Sequence, residues 1–235
     1  VDERMLPELT GAAEVAGRLT EAAARELGLE PGIPVVTGTL DSATELCSAG
    51  VAGPGEALIR LATAGGIELV SAAPKPHALL ISYPHPVSPL WYNQAGTSSC
   101  GAAVDWAARA LGGGTAPLQY SVFDRLAEEA AAGAGGVTFH PYLAGERCPH
   151  WDPSLRGSFA GLGLVHGPAH LARAVLEGVC FSIRDALSAL PAEMDDETTL
   201  KVVGGGAGSE IWLRILSAVL KRPLLSMRDA DSSHG

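Results

Sequence analysis

At 235 residues and 24.0 kDa, with a net charge of −10 and a pI near 5.1, the chain is too acidic to offer nucleic acid the clustered Lys and Arg that a phosphate backbone needs. Its 47% hydrophobic content and mean hydropathy of +0.20 suffice for a substantial core, yet no apolar run reaches the roughly 18 residues of a membrane-spanning helix. The start, VDERMLPELTGA, lacks the basic and apolar stretches of a signal peptide, and Cys47, Cys100, Cys148 and Cys180 form no CxxC pair or disulfide framework, so a reduced, cytoplasmic protein is expected.

In chain order, residues 20–28 read as a short helix, with Thr20 as N-cap and Gly28 just past its end. Residues 33–39 read as a strand apolar on both faces and therefore buried in a sheet. Asp41 follows, then a small-residue helical segment to Gly50. Residues 56–62 and 67–71 read as two strands joined by Thr63-Ala64-Gly65-Gly66, a hairpin in which glycine can take a positive φ. The five prolines between Pro74 and Pro89 mark a loop or edge. A short strand at 90–94 runs into a small polar turn, 95–101, and a helix, 102–111. A further helix covers 121–132, with Phe123, Leu126 and Ala130 on one face. After a glycine linker at 133–136 come a strand at 137–142, a long charged and aromatic loop, and a helix that Pro168 opens and that runs to about Leu190. An acidic solvated loop, 191–199, precedes a strand at 200–203, a glycine turn at 204–208, a helix from Ser209 to Leu220 and a last strand at 223–227. Strands alternate with helices, so the class is α/β. Both ends lack a closing element and look cut, as in a piece of a longer protein.

Three turns could carry a ligand. Gly204-Gly205-Gly206-Ala207-Gly208 sits between strand and helix, where backbone can approach a ligand and a helix N-terminus offers amides; it is neither a Walker loop nor a dinucleotide fingerprint. Thr63–Gly66 could aim amides and a hydroxyl at a phosphate, and Gly96–Gly101 is a third small-residue turn. Each also reads as a plain turn, and Thr63–Gly66 taken alone reads first as a plain hairpin. Asp41 is the candidate acid; alone it also reads as a helix cap, and with Glu45 four residues on it could form a glycosidase-type carboxylate pair unless Glu45 is merely solvated. Glu146, Arg147, His150, Trp151, Asp152 and Arg156 form the densest polar cluster, read as a salt-bridge network that orders a long loop. Cys148 and His150 flank Pro149, but no second pair at ligand spacing follows, so no metal site is assigned to this chain.

The order of these motifs resembles the FGGY family of carbohydrate kinases. The matching stretches are GTLDSATELCSAGVAGPGEALIRLATAGG, AGTSSCGAAVDWAARALGG, FHPYLAGERCPHWDPSLRGSFAGL with its long helix, and LKVVGGGAGSEIWLRILSAVLKRPL, together spanning roughly residues 10–227. PYLAGER and GGGAGSEIW are closest to the xylulokinase-like branch. The resemblance implies an actin-like (ribonuclease-H-like) ATPase fold, a mixed sheet flanked by helices. Residues 1–50 would be the end of a first domain and 51–235 a nucleotide-binding second domain, cut before its last helix. It implies ATP-dependent phosphorylation of a sugar hydroxyl, of a pentulose such as xylulose or a related polyol, with ATP and Mg²⁺ as cofactors. No nucleic-acid or membrane partner is implied, and a homodimer is allowed. Carried over by position, Asp41 is the catalytic base; Asp41 and Ser42 touch sugar; Thr63, Gly65, Gly101, Gly205, Gly206 and Ala207 touch nucleotide. The turn reads Ala-Thr-Ala-Gly where Gly-Thr-Ser-Gly is usual in the family, which leaves a non-catalytic nucleotide-binding module as the alternative. Without the first domain, the 235-residue chain is expected to have no kinase activity.

Overall fold

The computed structural model describes residue 5 and residues 7–113, 116–191, 194 and 198–227. Strand β1 (Val15–Arg18) pairs antiparallel with β2 (Pro34–Val36), with helix α1 (Glu21–Leu27) between them. The helix has the ends its sequence dictates. Thr20 Oγ1 accepts the Ala23 amide at 3.3 Å, and Gly28 turns left-handed at φ 67°. The strand expected at 33–39 forms over Pro34–Val36 but is not buried. β2 is exposed along its length, with Val35 46% and Val36 51% accessible, because among the described residues it pairs with the equally exposed β1 alone. β1 itself, four residues including a glycine, has no sequence pattern that would announce it.

Helix α2 (Asp41–Ser48) leads into the main sheet. Its strands are β3 (Ala57–Leu61), β4 (Gly65–Ser71), β5 (Ile81–Pro84), β6 (Trp91–Thr97), β9 (Leu200–Val203) and β10 (Leu224–Ser226), arranged β10-β9-β3-β4-β6-β5. β10, β9 and β3 run parallel, and β3, β4, β6 and β5 pair antiparallel, so the sheet is mixed. Between β6 and β9 come α3 (Gly101–Leu111), α4 (Tyr120–Glu129), the small hairpin β7 (Thr138–His140) with β8 (Ser158–Ala160), and α5 (Pro168–Ser188); α6 (Glu210–Leu220) joins β9 to β10. β8 falls inside the stretch expected to be loop.

Strand alternation divides the side chains between two faces. Ile59, Leu61, Ile67, Leu69 and Ala95 join Val104, Val175, Leu176, Val179, Ile183 and Leu216 in the larger core, beneath α3, α5 and α6. The opposite face puts Leu58, Val70, Tyr92 and Val203 against Ala43 and Leu46 of α2 and Ala49 just past its end. On that same face the register sets out rows across the sheet. Arg60, Gly66 and Gly96 form one row, and Leu58, Glu68 and Gln94 the next.

The β3–β4 connection is shorter than expected. Ala62, Thr63 and Ala64 make the turn, while Gly65 and Gly66 are strand residues without positive φ. What Gly65 needs is close approach. A Cβ there would lie 2.9 Å from Cys100 Cβ and 3.0 Å from Thr97 Oγ1. The expected polar turn at 95–101 is likewise half strand, since β6 continues through Thr97. All four cysteines are unpaired. Part of the acidic loop at 191–199, and the expected truncation point beyond residue 227, lie outside the described residues. Among the described residues no helix is long and apolar enough to cross a membrane.

Candidate active site

Two pockets meet at the β3–β4 turn. The larger, about 500 Å³, is walled by Leu61, Ala62 and Thr63, by Gly101, Val104 and Asp105 of α3, by Tyr120 and Asp124 of α4, and by Gly205, Gly206, Ser209 and Trp212. Backbone approaches this tight explain the glycines. Gly101 donates to the Ala62 carbonyl at 2.7 Å, and a Cβ on it would sit 2.8 Å from that oxygen. Gly206 packs under Leu61 and the Trp212 ring, each 2.7 Å from a would-be Cβ, whereas a Cβ on Gly205 would meet nothing within 4 Å. Gly205 therefore gives the cleft open backbone, and Gly206 gives it shape.

The first-turn amides are less available than the sequence suggested. Those of Cys100 and Ala102 bond to the Thr63 carbonyl, both at 3.1 Å, so the hairpin turn itself caps α3. At α6, Ser209 Oγ accepts the Trp212 amide at 3.2 Å, and the Ser209 carbonyl accepts from Leu213. Two polar clusters edge the cleft. Tyr120 donates to Asp105 Oδ1 at 2.5 Å, which raises the Tyr120 pKa. Burial, opposed by a hydrogen bond with Ser209, raises that of Asp124. The walls offer apolar surface for a flat ring, open glycine backbone, and hydroxyl and carboxylate acceptors at the rim, a combination suited to a nucleoside.

The smaller pocket, about 250 Å³, lies across the turn and is lined by Leu40, Asp41, Ser42, Arg60, Ala64, Gly65, Glu68, Tyr83, Gln94 and Arg147. Asp41 is the exposed first residue of α2. Its Oδ1 accepts the Ser42 amide at 2.7 Å, which fixes the carboxylate at a helix N-terminus. Ser42 is buried, and its hydroxyl is engaged with Tyr92 Oη at 2.8 Å. Burial, foremost, pushes the Tyr92 phenol up to about 12. Glu45 is neither solvated nor paired with Asp41. It is buried and bridged to Arg60 Nε at 2.8 Å. Arg60 also reaches Glu68 Oε1 at 3.3 Å, the same oxygen that accepts from Gln94 Nε2 at 2.8 Å. Burial raises the pKa of Glu68, with Arg60 the main opposing influence.

Of the residues assigned to nucleotide, Thr63, Gly101, Gly205 and Gly206 share the larger cleft. Gly65 faces the smaller pocket instead, together with Asp41 and Ser42. Ala207 belongs to neither. It is 1% exposed, with its amide bonded to Gly204 and its carbonyl accepting from Ser226 Oγ, so it is a core residue of the turn. Arg147, expected to order its loop, lines the acid pocket. The loop around it is held by backbone contacts more than by ion pairs. Glu146 Oε1 accepts the Ser98 and Arg147 amides at 2.7 Å, Trp151 Nε1 reaches the Leu79 carbonyl, and Asp152 caps Ser154. The missed signal was Gly96, whose absent side chain makes room for the guanidinium.

Residues 58–234 match the C-terminal domain of the FGGY family of carbohydrate kinases. The xylulose kinase of Escherichia coli (strain K12) is 33% identical over 216 residues, 91% of this chain and 44% of that protein. The gluconokinase of Bacillus subtilis (strain 168) is 28% identical over 237 residues, 97% of this chain and 46% of that protein. A crystal structure of a xyloylose kinase from Brucella ovis matches with a TM-score of 0.85 and 33% identity, over 98% of this chain and 47% of that one. The chain thus spans less than half the length of each. With its mixed sheet, its flanking helices and the motif order above, the chain has the actin-like fold of these kinases and belongs to the FGGY family of carbohydrate kinases.

Proposed function

We propose that the protein carrying this chain transfers the terminal phosphoryl group of ATP to a sugar hydroxyl, of a pentulose such as xylulose or a related polyol. The observation that carries this reading is the division of labour at one three-residue turn. Thr63 lines the nucleoside-sized cleft, while the next residues, Ala64 and Gly65, line the pocket that holds Asp41. A phosphoryl group crossing the turn would leave one pocket and enter the other. Asp41 accepts the proton of the attacking hydroxyl, and the turn backbone positions the group; in such transfers, positioning and electrostatics supply most of the rate. Residues 1–50 are assigned to the end of a first domain and the rest to the nucleotide-binding domain. α2 is the joint between them, because its inner face packs on the sheet.

Magnesium entering with the nucleotide would take most of its ligands from phosphates and water and needs only one or two carboxylates. Its chemistry would be neutralisation of phosphate charge. The test is ADP release from the full-length protein with a panel of pentuloses, polyols and aldonates. Asp41→Asn is expected to lower turnover by about 10²–10⁴-fold, the usual contribution of a general base. An Asp41→Asn variant near wild-type turnover refutes the assignment. A wild-type protein that binds ADP but phosphorylates no sugar favours the non-catalytic module, for which the altered Ala62-Thr63-Ala64 turn is the argument.

A further inference from the structure

We infer that Arg147 is the cation that grips the phosphoryl oxygens as the group passes from nucleotide to sugar, a reading that rests on the kinase proposal above. The acid pocket contains two arginines, and among the described residues only one is held in ion pairs. Arg60 is bound to Glu45 and Glu68. Arg147 forms no ion pair among the described residues. Its neighbour Glu146 turns Oε1 to the backbone amides of Ser98 and Arg147 instead. The guanidinium is nevertheless fixed. Nη2 donates to the Thr97 carbonyl at 2.7 Å, and the Cys148 amide bonds to the Gly96 carbonyl at 3.0 Å. The group also fills the cradle left by Gly96, where a Cβ would lie 2.9 Å from Cζ. The remaining N–H donors of a planar fork held this way suit the oxygens of a phosphoryl group.

The register argues for phosphoryl rather than for a sugar substituent. Gly96 lies opposite Gly66, one residue from Gly65 at the end of the turn that separates the pockets. Glu68 and Gln94, the groups suited to sugar hydroxyls, lie two residues further along the strands, about 7 Å away at the usual strand rise. In the transfer, the bond from the γ-phosphorus to the β–γ bridging oxygen breaks and ADP leaves. The sugar oxygen forms the new P–O bond and gives its proton to Asp41. Arg147 makes and breaks no bond and donates to the non-bridging oxygens.

The experiment uses full-length Arg147→Met. Its turnover should fall by at least about 10²-fold with neutral sugars and sugar acids alike, while ADP affinity stays within about twofold of wild type. Added guanidinium should restore part of the rate, and the complex of ADP, aluminium fluoride and sugar should no longer form; a purely structural role would move neither readout in this way. If the Met variant melts well below wild type, Arg147→Lys, which keeps the charge but not the fork, should still lose the fluoride complex. Turnover close to wild type in the variant, or a loss confined to sugar acids, overturns the inference while leaving an active kinase. A wild type without sugar-dependent ADP release overturns the kinase reading and this one together.

Discussion

Gly205 and Gly206 are neighbours with opposite tolerances. A methyl on Gly206 collides with Leu61 and the Trp212 ring, both buried, so Gly206→Ala is expected to destabilise by about 1–3 kcal/mol through overpacking. A methyl on Gly205 meets only open space, and Gly205→Ala should stay within about 0.5 kcal/mol of wild type. If nucleotide lies on this turn, Gly205→Ala should still weaken ADP binding, because the methyl stands where the ligand approaches backbone. Denaturant unfolding and ADP titration on both variants check the pair; equal stability losses would contradict this packing. The glycines themselves were legible in the sequence as a ligand turn, but their separate jobs were not, since those depend on Leu61 and Trp212, remote or unplaced until the chain folds. Arg147 was hidden for a similar reason. Nothing local to GERCPHW says that its guanidinium will reach the gap above Gly96.

Among the elements, α2 carries both the acid and its own anchor. It brings Asp41 to the pocket with its first turn and anchors itself one turn later through Glu45, which Arg60 ties to Glu68 on β4. This anchor is sensitive to pH. Burial holds the folded-state pKa of Glu68 above its ordinary value of 4.5. The folded chain therefore keeps that proton more tightly than the unfolded one, and Glu68 costs stability as pH rises from about 4.5 through its folded pKa. Glu68→Gln keeps an acceptor for Gln94 and removes the titration. Its stability relative to wild type should grow as pH is raised from 4 to 8, measured by urea unfolding at each pH; a difference that is flat or that shrinks would mean the carboxylate is not held in this way. Elements with strong end signals or long periodicity were legible: α1 between Thr20 and Gly28, α5 from Pro168, and β9 with its glycine turn. The failures were short strands whose partners decide them. β1 and β8 lack any pattern, and β2 looked buried because Pro34, Val35 and Val36 are apolar, although the strand that pairs with it covers neither face.

For the molecule as a whole, the two-pocket arrangement makes a crossed prediction. Thr63 and Asp41 lie on opposite sides of one turn, and no hydrogen bond joins them among the described residues. Asp41 is bonded to the start of α2, whereas the backbone of Thr63 is bonded to α3. Each can therefore be altered without carrying the other along. Thr63→Val, nearly isosteric, should raise the Kd for ADP by about three- to thirtyfold, a loss of roughly 0.7–2 kcal/mol for a hydrogen-bonding group in the cleft. Asp41→Asn should leave that Kd within about twofold and act on turnover instead, because the carboxylate is needed when the hydroxyl proton moves rather than when nucleotide binds. ADP titrations and single-turnover rates on both variants of the full-length protein give the four numbers required. If Asp41→Asn weakens ADP binding as strongly as Thr63→Val does, the acid pocket and the nucleoside cleft form one site, and the turn between them does not divide the work.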